Sequence, residues 1–287
     1  MLGTRSVRVL YRSLAIVGLL PAIAHAQRTP LELRPRVGDT LRMRLDQTTE
    51  MSVTRAGATP RVMTTRTHML SRAIVESEVP DGVFVLAITD SVAVSSSDPG
   101  AAASAEATRR QLAGRQMHLR ISPDGTVAMA EPSGSVSKAM NDLVAVMPAS
   151  FPREPVSVGD TWTREMPIAP SAAARLPGAN GRGGVARATF RLDSLARQGE
   201  LAFISMHGTL EPHPGEVGAL APGIVMPALG GTVSGSMIVN RRRGWLSASQ
   251  FIVDLRTTIA ASKTTPPTEF HMRVTQQMRV FGRPPAR

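Results

Sequence analysis

Long stretches of this chain alternate apolar and polar residues with a period of two, a pattern that permits little besides extended strands. Leu41, Met43 and Leu45 are interleaved with Arg42, Arg44 and Asp46. An extended backbone therefore presents one apolar and one charged face. Met117, Leu119 and Ile121 alternate with His118 and Arg120 in the same way, and Ser122-Pro123-Asp124-Gly125 then turns the chain toward Val127 and Met129. Phe251, Val253, Leu255 and Ile259 continue the pattern, as do Phe270, Met272, Val274, Met278 and Val280. Pro80-Asp81-Gly82 is a turn between two further apolar-rich runs. Sheets with one polar face are characteristically antiparallel. The expected class is mainly β.

The tetrapeptide Val-Gly-Asp-Thr occurs at 37–40 and again at 158–161, each time ahead of a strand-like run. Later landmarks keep nearly the same spacing, because Gly82 matches Gly199 and Gly125 matches Gly244. Glycine and aspartate suit turns that deliver a chain into a strand. That also explains why Asp39 and Asp160 recur, without pairing them as catalytic carboxylates. Two homologous halves follow, 27–148 and 149–287, each too sheet-like to bury both faces alone. The expected architecture is one large, strongly curved antiparallel sheet, a half-barrel, with one short helix between the halves. A closed sandwich of two sheets is the alternative.

The spacing predicts that helix over 136–147. Val136, Ala139, Met140, Leu143, Val144 and Met147 form one apolar stripe, Ser135 or Ser137 caps it, and Pro148 stops it. Residues 95–108 and 169–184 are small-residue, low-complexity stretches that read as loops. Residues 212–231 mix Pro and Gly with Val217, Leu220, Ile224, Val225, Met226 and Leu229, a loop apolar enough to fold over the open side of a sheet.

Residues 1–26 read as an export signal: Arg5, Arg8 and Arg12 without an acid, a short apolar run, and Ala24-His25-Ala26 at a cleavage position. The run is too short to span a bilayer, so the protein is expected in a periplasm or outside the cell and not integral to a membrane. The chain has no cysteine, which excludes thiol nucleophiles, disulfide scaffolds and cysteine metal sites. The net charge of +11 invites a nucleic-acid reading. Its cations are scattered, however; the densest group is Arg241-Arg242-Arg243 at a hairpin tip, and aromatics are only 3%. No basic stripe with stacking residues is visible, so no nucleic-acid partner is expected. The 15 methionines are too many to ignore, since Met is flexible and suits surfaces that accept more than one apolar shape.

The export signal, the strand-opening VGDT, the Ser-Pro-Asp-Gly hairpin, a short helix and then Phe151-Pro152-Arg153-Glu154-Pro155-Val156 leading to Gly159-Asp160-Thr161-Trp162 together resemble an uncharacterised family of exported bacterial β-proteins. The resemblance spans residues 30 to 281. In outline such proteins are similar to half-barrel carriers of lipids and lipoproteins in the bacterial envelope. The resemblance implies no catalytic residue.

No motif in the sequence is complete enough to carry catalysis or a metal. Ser135 and Lys138 have the S-x-x-K spacing of serine acyltransferases, but the companion S-D-N and K-T-G motifs are missing. Capping fits Ser135 better. His207, Glu211, His213 and Glu216 lack the helical spacing of a zinc site. His68, His118 and His271 sit on polar strand faces. The glycines at 178, 181, 183 and 184 lack the Lys-Ser/Thr of a phosphate loop. The expected function is therefore non-catalytic, without cofactor or metal: binding of an apolar ligand, a lipid or lipidated chain, on a concave face lined by Met43, Met117, Met129, Phe251, Met272 and Met278. The alternative is an envelope interaction module that holds a protein partner through strand edges or Arg-rich tips. A hydrolase using Ser135 and Lys138 comes third.

Overall fold

The computed structural model describes residues 28–55, 58–130, 150–168, 184–212, 230–259 and 267–281. The export signal expected over 1–26 and the helix expected over 136–147 lie outside these residues. So do the 169–183 part of one expected loop and the 213–229 part of the apolar one.

Eleven described strands form one antiparallel sheet. The first five are β1 (Thr40–Arg55), β2 (Arg61–Val79), β3 (Gly82–Ser96), β4 (Gln116–Ile121) and β5 (Val127–Met129). The next five are β6 (Thr161–Ile168), β7 (Gly184–Ala196), β8 (Leu201–Pro212), β9 (Gly230–Asn240) and β10 (Trp245–Ile259), and β11 (Thr268–Phe281) completes the set. The order across the sheet is β5-β4-β3-β2-β1-β11-β10-β9-β8-β7-β6. Two five-strand meanders thus lie side by side with β11 between them, paired from Arg42↔Phe281 to Arg55↔Thr268 on β1 and from Ala248↔Arg279 to Ile259↔Thr268 on β10. The outermost strands are blunted as edge strands usually are: β5 has three residues, and β6 carries Arg164, Glu165 and Pro167.

The two VGDT turns have the same geometry. Gly38 and Gly159 take φ of 86° and 94°. Asp39 and Asp160 each accept a backbone N–H three residues upstream, from Arg36 at 3.1 Å and Ser157 at 2.8 Å. Gly38 then donates to Val75 and Gly159 to Leu192, while Val75 and Leu192 donate back to the two aspartates' carbonyls. Just beyond, both meanders break register at an acidic residue, Glu76 or Asp193.

A flat sheet would hold β5 and β6 about 48 Å apart, at ten spacings of about 4.8 Å. Here one short segment touches both ends. The N–H of Phe151 donates to Asp124 in the β4–β5 turn, its ring lies against Gly125, its carbonyl accepts from Arg164 on β6, and Trp162 Nε1 donates to the Ser150 carbonyl. The sheet is therefore rolled, its edge strands β5 and β6 unpaired with each other among the described residues, and its apolar face turns inward. Residues from both meanders, including Val83, Val85, Phe190 and Ile204, share one core with Leu31, Leu33, Phe151 and Val156. The amino-terminal strap that carries Leu31 and Leu33 crosses the turn end of the roll. Its Thr29 forms a bridge with Val156, Leu33 donates to Pro123, and Arg34 donates to Gly244.

Glycine permits part of this curvature. At Gly208, Gly231 and Gly235 an added Cβ would meet a carbonyl oxygen of the adjacent strand at 2.2–2.4 Å. These positions admit only a residue without a side chain. Gly235→Ala is therefore expected to cost about 1–3 kcal/mol by overpacking against Phe251 and the Gln250 carbonyl, read from urea unfolding. Gly230→Ala is the control, having nothing within 4 Å.

One sequence expectation is overturned. Residues 95–108 are not a loop: β3 runs to Ser96, a 3-10 turn follows at Pro99–Ala101, and helix α1 occupies Ala102–Leu112. The Asp98 side chain caps the turn by accepting from Gly100 at 3.2 Å, with Pro99 just inside it. Alanine-rich sequence has high intrinsic helix propensity, and Glu106 pairs with Arg109 one turn on. None of the α1 residues is buried, so the helix has no apolar stripe for periodicity to detect. The described helix therefore sits between β3 and β4, within the first meander.

Candidate ligand-binding face

Strand pairing aligns the inward side chains in rows that run across the sheet. In one row Met63, Met51, Met272 and Leu255 stand directly opposite one another on β2, β1, β11 and β10. A second row sets Met69, Leu45 and Met278 side by side. Between them runs a more polar band of Thr67, Gln47 and Gln276, in which the Gln47 amide bonds Thr49. All the methionines of both rows are half-buried, so this part of the inner face is not covered as the turn end is.

All six residues expected to line a ligand lie on the inner face, but not as one cluster. Met43, Met117, Met129 and Phe251 pack against the core, with Met117 and Met129 out on the β4–β5 arm. Met272 and Met278 belong to the two open rows. Met51, Met63 and Met69 complete those rows and were missed. The signal that finds Met51 is present, since the alternation of β1 continues past Leu45 through Thr49, Met51 and Val53. The far wall was missed too: Trp162 on β6 stacks on the fully buried Phe190 of β7, with ring centres 5.8 Å apart and planes 9° apart.

The outer face is charged and carries several ion pairs. Asp46 accepts from the Arg44 guanidinium and the His68 ring, His271 pairs with Asp254, His118 with Glu76, Arg120 with Asp81 and Arg187 with Glu165. The Arg44 guanidinium, and then His68, hold the Asp46 carboxyl below the usual aspartate range. A carboxyl lowered by folding stabilises the fold above its ordinary range, and that contribution is lost as pH falls through the lowered value. Asp46→Asn should therefore remove a small part of the acid limb of the stability–pH curve and leave the alkaline limb unchanged. Unfolding midpoints between pH 2 and 7 test this.

At the hairpin tip, Arg241 is turned inward, donating to the Gly199 carbonyl at 2.5 Å and the Pro30 carbonyl at 3.4 Å. It ties the strap and the Gly199 turn to its own hairpin tip. His207 stands opposite Thr189 and Ser234 on the outer face, while His213, Glu216, Ser135 and Lys138 lie outside the described residues. Among the described residues, no three His, Asp or Glu side chains are grouped to hold a metal ion, and no helix is long and apolar enough to cross a membrane.

No family model matches the chain, and no curated protein matches it. The family resemblance of the sequence motifs thus gains no assignment. Solved structures give only weak similarity. Lipovitellin, from a structure describing lipid–protein interactions, aligns over 88% of this chain with TM-score 0.49 and 9% identity. This chain spans only 26% of that protein's length. An outer membrane channel of Pseudomonas putida F1 aligns over 87% with TM-score 0.23 and 11% identity, covering 97% of that channel. OpdQ of Pseudomonas aeruginosa aligns over 86% with TM-score 0.25 and 7% identity, covering 100% of that chain.

Proposed function

We propose that this is an exported, non-catalytic binding protein whose inward apolar face holds a lipid or the acyl chain of a lipidated partner. The observation that carries this reading is the pair of half-buried methionine rows on the inner face of a rolled sheet. Ordinary cores bury such residues fully, whereas these remain partly open although their rows lead into the buried core of the second meander. Methionine adapts its shape to flexible chains. The charged outer face supports a protein that does not span a bilayer by its strands, because a spanning barrel puts its apolar residues outward.

The test is native mass spectrometry of the exported full chain, followed by solvent extraction, with a fluorescent apolar probe titrated in parallel. A lipid released on denaturation, and displaced by the probe, is the expected result. Met51→Lys combined with Met272→Lys should weaken probe binding at least about tenfold, since burying an unpaired ammonium opposes occupancy. A clean apo mass with no probe uptake would defeat the reading. It would also favour an interaction module acting through the unpaired edge of β6.

A further inference from the structure

The β6 edge of the roll carries a feature that an apolar trough does not need. Arg164 follows Trp162 on the same inward face, beside the Trp162–Phe190 stack. One of its terminal nitrogens donates to the Phe151 carbonyl, but its Nε is buried and has no hydrogen-bond partner. Buried guanidinium donors are almost always satisfied, so the orphan Nε leaves Arg164 with unused hydrogen-bonding capacity, which a small shift of its guanidinium would bring to an acceptor in the adjoining cavity. Arg164 lines a cavity of about 670 Å³ together with Arg28, Arg153 and Trp162. Among the described residues neither Arg28 nor Arg153 has an ion-pair partner. The two acids on the wall, Glu154 and Asp160, leave an excess of one positive charge, and Asp160 is occupied by the Ser157 N–H of its turn.

We propose that this cavity binds a carboxylate or phosphate group, held by Arg164 with Arg153 and Arg28. Guanidinium forks match the paired oxygens of these anions. The anion is either the head of an amphiphile whose chain runs along the inner face from Trp162, or a free inorganic ion. The amphiphile form rests on the binding function proposed above; the anion site itself does not. It also sets an orientation: the head sits at the β6 edge near the turn end, and the chain points toward the open methionine rows.

Titration calorimetry of the full chain separates the cases, using decyl phosphate, the uncharged decyl maltoside and inorganic phosphate. Decyl phosphate is expected to bind at least about tenfold tighter than decyl maltoside. That margin should vanish in Arg153→Gln and Arg164→Gln but persist in Arg66→Gln on the outer face. Arg153 is exposed, so its substitution tests the site without endangering the fold. Phosphate binding that needs Arg153 and Arg164, with neither amphiphile bound, would uphold the anion site and end the apolar-ligand reading. Equal affinity for both amphiphiles, unchanged in the two variants, would overturn the anion site and leave the apolar face intact. Binding of none of the three would overturn both.

Discussion

Gly244→Ala should release the amino-terminal strap from the rolled sheet and destabilise the protein by about 4 kcal/mol or more. Gly244 has φ of 61°, and its carbonyl accepts from the Arg34 N–H. An alanine Cβ there would lie 2.2 Å from the Arg34 carbonyl oxygen and 2.8 Å from its nitrogen. Neither atom belongs to a flexible side chain, so the strap itself must move. Left-handed backbone costs a residue with a Cβ about 1 kcal/mol. Lifting Leu31 and Leu33, only 3% and 5% exposed, costs about 1.5–3 kcal/mol for each that leaves the core. Unfolding alone would not identify the mechanism, so trypsin supplies a second readout. Cleavage after Arg36 should accelerate in Gly244→Ala well beyond the change in global stability. Gly38→Ala is the control, with a left-handed φ but nothing within 4 Å of its Cβ. Equal effects of the two substitutions would show that backbone strain dominates and that the strap stays seated.

Phe190→Ala is expected to cost about 3–5 kcal/mol, the usual range for a buried aromatic whose cavity cannot collapse. Phe190 is fully buried and stacks on Trp162, and its strand neighbours Ala188 and Leu192 are equally inaccessible. The wall behind it is a hydrogen-bonded ladder that cannot close inward without breaking register with β6 and β8. Trp162 reports the event directly, because loss of its stacking partner should change its fluorescence before global unfolding begins. A destabilisation below about 1 kcal/mol would show that the β6–β7 wall repacks freely. The Trp162 side of the anion cavity would then lack a rigid support.

The mainly β class and the inward placement of the six named residues were legible because period two is a local signal: Leu41, Met43 and Leu45 declare their face without reference to the rest of the chain. Rows such as Met63-Met51-Met272-Leu255 were not, since they depend on register between strands far apart in sequence. Helix α1 escaped because an exposed alanine helix carries no periodicity and draws on propensity, a turn cap and an ion pair. The cavity at β6 escaped for a different reason. Arg153 and Arg164 are brought together by the fold-back of the 150–151 segment onto β6, and Arg28 joins them through the Thr29–Val156 bridge, contacts that no local periodicity announces. The scattered arginines that make the chain so basic read singly as solvated charge.

The position of β11 governs the order in which the molecule comes into being. Each meander is built from neighbouring hairpins, whose loops close quickly and locally. The seam between them is the opposite, since Arg42 must find Phe281. A chain emerging from a ribosome exposes the free border of β1 long before β11 arrives, whereas β10 immediately precedes β11. A long, half-apolar strand border is then open, the condition under which sheets join the wrong neighbours. The first meander thus waits for the last strand, and the expected slow step of folding is the closing of the β1–β11 seam along those 14 residues.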